Sequence, residues 1–368
     1  MEPIRKILSD RNGPMTLSPA WDICRPEVML YRDADAYRRL FSGILGTRSP
    51  ARVARRGLFQ EFLNRACLQK LADDVRYGFD VSVVPYPLKL DLRAWGVALD
   101  PVGRIWGVRT TDADVLELEF NGGCCRSKQD WDCLVGEKAP DEADSVLRFY
   151  NRARLLGGKR VILAGTVGFG LWDALWMSLD FDRACRLLAE DADFAGKVFS
   201  FWKRRHIAAA AAMLDAGVKL LMFREHPAGF PASSRMVEQL DPYLREHFQE
   251  LSTMVHARGG CLVLDCDAED IFETDYPMQW GFDGIGPLLF RDDRDLHAAR
   301  TCLDSDLLLV GSMISPPSCR SFAEETGWTR KVMITNNLNS CEATMVGTET
   351  QMKPCWSSIL PEGVSLAS

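Results

Sequence analysis

The sequence lacks any long apolar run. None approaches the roughly 20 residues a helix needs to cross a bilayer, which excludes a helical membrane protein. It also lacks a cysteine frame: its twelve cysteines are scattered, only Cys124 and Cys125 are adjacent, and no CxxC pair exists. Free thiols in a reducing cytoplasm are therefore the expected state. The start, MEPIRKILSDRNG, has no apolar core segment of the kind a signal peptide carries. Positive charge is not in excess, since the net charge is −7, and that argues against a phosphate-binding surface. The one basic knot, Lys203-Arg204-Arg205-His206, lies inside a helical pattern and reads as a solvated helix face. Internal repeats and low-complexity tracts are absent as well.

What is present is ordinary globular material, 47% hydrophobic and 26% charged over 368 residues. That length suits one large α/β barrel or two modest domains. The first 150 residues are the less regular part. Helices are expected over Asp33–Leu45 and Arg56–Val75, then a strand over Phe79–Tyr86. DPVGRIWGV, Asp100–Val108, reads as a turn feeding a strand, with Gly103 at the tight position. The stretch from Asp112 to Asp144 reads as irregular surface excursions.

From residue 151 onward the pattern becomes regular. KRVILAG (Lys159–Gly165) reads as a buried strand, and a helix starts near an N-cap at Asp182. A second helix spans Phe194–Ala216 and is closed by Gly217. The strand VKLLMFREH follows, then a helix capped by Ser233 or Ser234 that runs to Arg258. After it come the strand CLVLDC, a helix over Ala268–Trp280, the strand GFDGIGPLLF, a helix over Arg294–Leu303 and the strand DLLLVGS. Short apolar strands alternating with helices imply a parallel sheet with helical crossovers. The number of units favours a closed (β/α)8 barrel, one large domain over 1–368 with an N-terminal extension. Active sites of such barrels sit at the C-terminal ends of the strands.

Those strand ends hold the chemistry. One gives Gly165, Thr166 and Phe169, and the next Arg224, Glu225 and His226. The stretch LVLDCDAEDI then places Asp265, Cys266 and Asp267 at the end of an apolar strand, followed by Pro287 and by Gly311-Ser312-Met313 on later strands. Charges are costly to bury without partners and cheap at a strand's exit. Two readings stand side by side for several of these. Asp267 either joins a site or caps the next helix. Cys266 is a small core residue or a nucleophile. Glu225 and His226 are neighbours able to tune each other's proton affinity. Phe169, Trp172 and Phe230 are core residues or pocket walls.

Two stretches, AGVKLLMFREHPAGFPASSRMVEQLDPYL and LVLDCDAEDIFETDYPMQWGFDGIGPL, resemble the uroporphyrinogen decarboxylase superfamily, which includes the cobalamin-dependent methyltransferases. Gly165-Thr166 with FGLWDALW, DPVGRIWGV, LLLVGS and SSILPEGVSLA also look like segments of it, in the right order over most of the chain. The departures are as informative as the matches. Where the family has His-Ser-Asp-Gly or His-x-Cys-Gly, this chain has Asp265, Cys266, Asp267 and Ala268. In the zinc methyltransferases the His-x-Cys pair supplies two metal ligands, which would fall on Asp265 and Asp267. A third would fall near Ser357, with Cys355 two residues away. If zinc binds, a soft thiolate site has become a carboxylate site, one that equally suits harder cations. The decarboxylase's N-terminal Arg-rich motif is missing, and Pro85-Tyr86-Pro87 stands where an aspartate is expected. Without these grips on a tetrapyrrole, porphyrinogen decarboxylation is not expected.

The resemblance implies a methyltransferase that moves a methyl group between a small methylated substrate and a corrinoid (cobalamin), carried by a partner protein or met as co-substrate. Its leaving heteroatom must be protonated or bound to a Lewis acid. Glu225 or His226 would supply that proton, and Asp265 with Asp267 would hold a metal or orient the donor. The alternatives are a decarboxylase acting on another carboxylated substrate, with Arg224 as its cationic anchor, and a catalytically silent barrel subunit. A homodimer is the oligomeric state that the resemblance suggests.

Overall fold

The structure is a computed structural model. It describes residues 52–77, 81–134, 142–225, 234–265, 279–289 and 307–314, with short breaks at 87–88, 95, 111–114, 124, 126 and 159–160. It also describes the strands at 15–17, 24–25, 28–32 and 330–335. The expected helices over Asp33–Leu45, Ala268–Trp280 and Arg294–Leu303 fall wholly or mainly outside these residues.

In chain order the N-terminal part contains β1 (Met15–Leu17), β2 (Cys24–Arg25), β3 (Val28–Arg32), α1 (Arg52–Tyr77) and β4 (Val81–Pro85). Then come β5 (Asp91–Ala94), β6 (Val97–Leu99), β7 (Arg104–Thr110), β8 (Val115–Gly123), α2 (Lys128–Leu134) and α3 (Ala143–Gly157). The regular part contains β9 (Ile162–Thr166), α4 (Leu171–Leu179), α5 (Phe181–Glu190), α6 (Ala192–Asp215), β10 (Leu220–Arg224) and α7 (Ser234–Ala257). It ends with β11 (Cys261–Asp265), β12 (Gly284–Leu289), β13 (Leu308–Ile314) and β14 (Arg330–Thr335).

Eight strands form one sheet whose order, β1-β14-β13-β12-β11-β10-β9-β4, closes on itself. Neighbours from β1 through β4 to β13 pair in parallel. The expected all-parallel barrel needs one correction. β14 runs antiparallel to both β13 and β1, so one strand of the ring is reversed. Its sequence, RKVMIT, carries no mark of direction, because direction is set by the connection and not by the strand.

The register sorts the lumen into layers. Val83, Ala164, Leu220 and Cys261 lie side by side across four strands. Above them run Pro85, Thr166, Met222, Val263, Gly284 and Leu308. The next layer up holds Arg224, Asp265 and Gly286. The lower layers form a separate apolar cluster, with Val81, Val83, Ala164, Leu220, Met222, Cys261, Val263 and Leu308 all buried. Each large side chain there contributes about 1.5–3 kcal/mol on leaving water. Among the described residues the lower lumen is therefore filled with side chains. Strand alternation sends Leu221, Phe223, Leu262 and Leu264 the other way, into the main core shared with the helices.

Among its described residues, the stretch Asp112–Asp144, expected to be irregular, contains regular elements. β8 is a nine-residue strand at the centre of a second, antiparallel sheet of order β2-β3-β8-β7-β6-β5, and α2 follows it. VLELEFNGG alternates apolar and acidic residues, the pattern of a half-buried strand, and Leu116 and Leu118 are fully buried. Phe120 of this sheet, edge-on to Trp106, meets Trp176 of α4, and both sheets share one core. The turn before β7 forms as expected: Gly103 has φ 82° and donates its N–H to the Asp100 carbonyl at 3.2 Å.

Helix ends shift slightly from expectation. α5 is capped by Asp180, not Asp182, with the Asp180 carboxylate accepting the Arg183 N–H at 3.0 Å. Gly217 follows the end of α6 with φ 88°, the left-handed conformation a C-terminal glycine supplies. The basic knot on α6 is not one solvated face. Only Arg204 is exposed, Lys203 pairs with Glu246 and Glu250, Arg205 pairs with Glu142, and His206 is buried.

Candidate functional site

The top described layer of the lumen carries its charge. Two residues beyond Met222 on β10 is Arg224, and two beyond Val263 on β11 is Asp265, so both keep the lumen-facing parity of the apolar layers below. Arg224 Nε donates to Asp265 Oδ2 at 3.0 Å, with side-chain exposures of 12% and 10%. Arginine and aspartate thus form a nearly dry ion pair directly above Met222 and Val263. Gly286, their register neighbour on β12, leaves that side of the layer without a side chain. Thr166 adds one hydroxyl in the layer beneath.

Glu225 belongs to the opposite face of β10. It is fully buried, and its carboxylate accepts the N–H groups of Leu171 at 2.6 Å and Trp172 at 3.3 Å. These are orphan donors of the first turn of α4, whose N-cap, Gly170, has no side chain to satisfy them. Burial pushes the Glu225 carboxyl well above its ordinary value, and the nearby Asp173 pushes it the same way, against the two backbone hydrogen bonds. Adjacent residues on a strand face opposite ways, and this separates Glu225 from the lumen pair. His226 lies outside the described residues, as do Asp267, Cys355, Cys266 and Phe230.

Two expected wall residues are placed clearly. Trp172 is 1% exposed and meets the Phe181 ring edge-on. Phe169, in the loop after β9, is half-buried and stacks on Trp106 with ring centres 5.9 Å apart. The Arg104 guanidinium lies 4.9 Å from the Phe169 ring centre and 4.9 Å from that of Trp202. Arg104 is in turn ion-paired with the buried Asp100. Neither Asp100 nor Arg104 stood out in the sequence as more than part of a turn.

A buried histidine pair was also invisible there. His206 of α6 and His247 of α7 approach at 3.2 Å between Nδ1 and Nε2, among Phe223, Trp202 and Phe248. Burial pushes His247 down to about 3, helped by Lys203, and burial pushes His206 well below its ordinary value, helped by His247, Arg205 and Arg104. The 41-residue separation of the two histidines hid the pair from any local pattern.

Of the zinc set expected on Asp265, Asp267 and Cys355, two members lie outside the described residues. Of the three only Asp265 is described, its Oδ2 is engaged by Arg224, and a guanidinium opposes a dication beside it. Among the described residues no group of three or more His, Cys, Asp or Glu is placed to hold a metal. A cleft of about 340 Å³ lies on the helix layer between α6 and α7, lined by Phe199, Lys203, Tyr243 and Glu246. It takes in none of the strand-end charges.

No protein-family model matches the chain, and no curated protein matches it. Among solved structures it is similar to a methyltransferase from Methanosarcina mazei, at 14% identity and TM-score 0.49, covering 80% of this chain and 78% of that one. It is also similar to a GH113 β-1,4-mannanase, at 16% identity and TM-score 0.35, covering 72% and 71%. A chitinase from Chromobacterium violaceum follows at 11% identity and TM-score 0.26, covering 76% and 84%. Likeness of this grade fixes neither substrate nor reaction. No helix among the described residues is long and apolar enough to cross a membrane.

Proposed function

We propose that this chain is an enzyme that moves a methyl group between a small methylated compound and a corrinoid, at the C-terminal mouth of its closed sheet. The observation that carries the reading is the Arg224–Asp265 pair, held at 3.0 Å as the top described layer over an apolar floor. It places hydrogen-bonding charge where barrel enzymes work, on the strands that carry the sequence resemblance. The apolar floor of Met222 and Val263 suits a methyl group. Arg224 and Asp265 above it orient the heteroatom that the methyl group leaves. The corrinoid, borne by a partner protein or free, is the co-substrate that exchanges the methyl group. Proton delivery to the leaving heteroatom falls to His226 in this proposal, because Glu225 is turned to the helix layer. A cytoplasmic location and a dimer belong to the same proposal.

The decarboxylase alternative is weaker on this geometry. Its cationic anchor, Arg224, already gives its Nε to Asp265. The test offers methylamine, methanol, an aryl methyl ether and methanethiol, each with a Co(I) corrinoid, to the wild type and to Asp265→Ala. The proposal expects demethylation of at least one donor by the wild type and a loss of 100-fold or more in a folded variant. Full activity in Asp265→Ala would show that the site lies elsewhere. Carbon dioxide release from a carboxylated substrate without corrinoid would favour the decarboxylase, and neither activity a silent barrel.

A further inference from the structure

Glu225 has a use that its sequence neighbourhood does not suggest. α4 begins at Gly170, which offers no capping side chain. The donors at its N-terminus are satisfied from 54 residues away, by a carboxylate at the end of β10. The approach is tight. A Cβ on Gly170 would lie 2.5 Å from Glu225 Oε1 and 2.6 Å from the Arg224 carbonyl oxygen, so the fit requires glycine. The Glu225 backbone N–H donates to the Asp265 carbonyl at 3.1 Å, joining the ends of β10 and β11. The loop before α4 is also tied down, since the Val167 N–H donates to the Met222 carbonyl at 3.0 Å. Its Phe169 is stacked on Trp106 and lies over Arg104.

We propose that Glu225 is a positioning residue that latches α4 and the loop 167–170 to β10 and so holds the Arg224–Asp265 pair in register. This rests on the reading that the pair is the reactive end of the sheet. The side chain reaches the helix layer and the backbone reaches Asp265, so one residue couples both faces of the strand end. A carboxylate suits the task, since it can accept both amide donors at once at the positive end of the α4 dipole. Glutamine can accept them through one oxygen only.

The test needs no methyl donor. Hydrogen exchange, read by mass spectrometry on the peptide containing Leu171 and Trp172, follows the latch. Phenylglyoxal modification of Arg224, read on its own peptide, follows the lumen pair. In Glu225→Ala both are expected to quicken by tenfold or more, with exchange in α5 and α6 unchanged. In Glu225→Gln, which keeps one of the two acceptor oxygens, both are expected to quicken, by clearly less than in Glu225→Ala. Should the alanine variant fail to fold, Glu225→Asp withdraws the carboxylate by one methylene and is expected to quicken both several-fold. Amides that exchange as in the wild type would overturn the latch. Faster amides with Arg224 unchanged would reduce Glu225 to a helix cap and overturn the coupling. A wild type with no methyl transfer sinks the proposed reaction and leaves these readouts standing.

Discussion

The buried histidine pair makes acid the sharpest test of the helix layer. An unfolded histidine takes up its proton near pH 6.5. His247 in the fold resists protonation until about pH 3, because burial and the positive charge of Lys203 both oppose a second cation there. Its folded pKa is depressed, so its contribution to stability is fully present above pH 6.5 and is lost as the pH falls from there towards 3. The unfolded chain binds a proton in that window and the folded chain does not. Between pH 7 and pH 5 this one residue removes roughly 2 kcal/mol. His206 shifts in the same direction and adds to the loss. Lys203 acting on His247, and Arg205 and Arg104 acting on His206, are all cationic and push the same way. Urea denaturation at pH 7, 6 and 5, followed by far-UV circular dichroism, measures the effect in the wild type and in His247→Phe. The variant is expected to lose about 1 kcal/mol less stability per pH unit than the wild type below pH 6. Parallel pH dependence in the two proteins would refute the reasoning, whatever their absolute stabilities.

Two further outcomes follow from single contacts. Gly170→Ala forces a Cβ against the Arg224 carbonyl and Glu225 Oε1; a loss of about 2–3 kcal/mol is expected in urea denaturation, as for an overpacked core. Asp180 caps α5 while holding φ at 84°. Asp180→Ala is therefore expected to cost about 1–2 kcal/mol, and Asp180→Gly clearly less, because glycine accepts that backbone conformation. Equal losses in thermal melts of the two variants would refute that explanation.

The fold was legible where a local pattern forces the structure. KRVILAG, VKLLMFREH and CLVLDC could hardly be anything but buried strands, and Gly217 closes its helix as expected, while the cap expected near Asp182 falls on Asp180. The second sheet was less legible. The alternation in VLELEFNGG was readable, but its acidic residues and nearby cysteines made it look like surface loop. For the site, the sequence brought Arg224 and Asp265 to neighbouring strand ends without saying that they meet. It set Glu225 beside His226 at the strand end, and of the two only Glu225 is described, its carboxylate turned to the first turn of α4.

By itself, then, the sequence determined composition-level properties and the succession of strands and helices. Those depend on hydrophobic period and capping chemistry within a few residues of each position. Only the tertiary structure decided the reversed β14, the contact of Arg224 with Asp265, the latch from Glu225 to α4 and the pairing of His206 with His247. Each of these joins segments far apart in the chain. Register, facing and burial, which exist only once the elements have packed, select them from among many pairings that the same residues would equally allow.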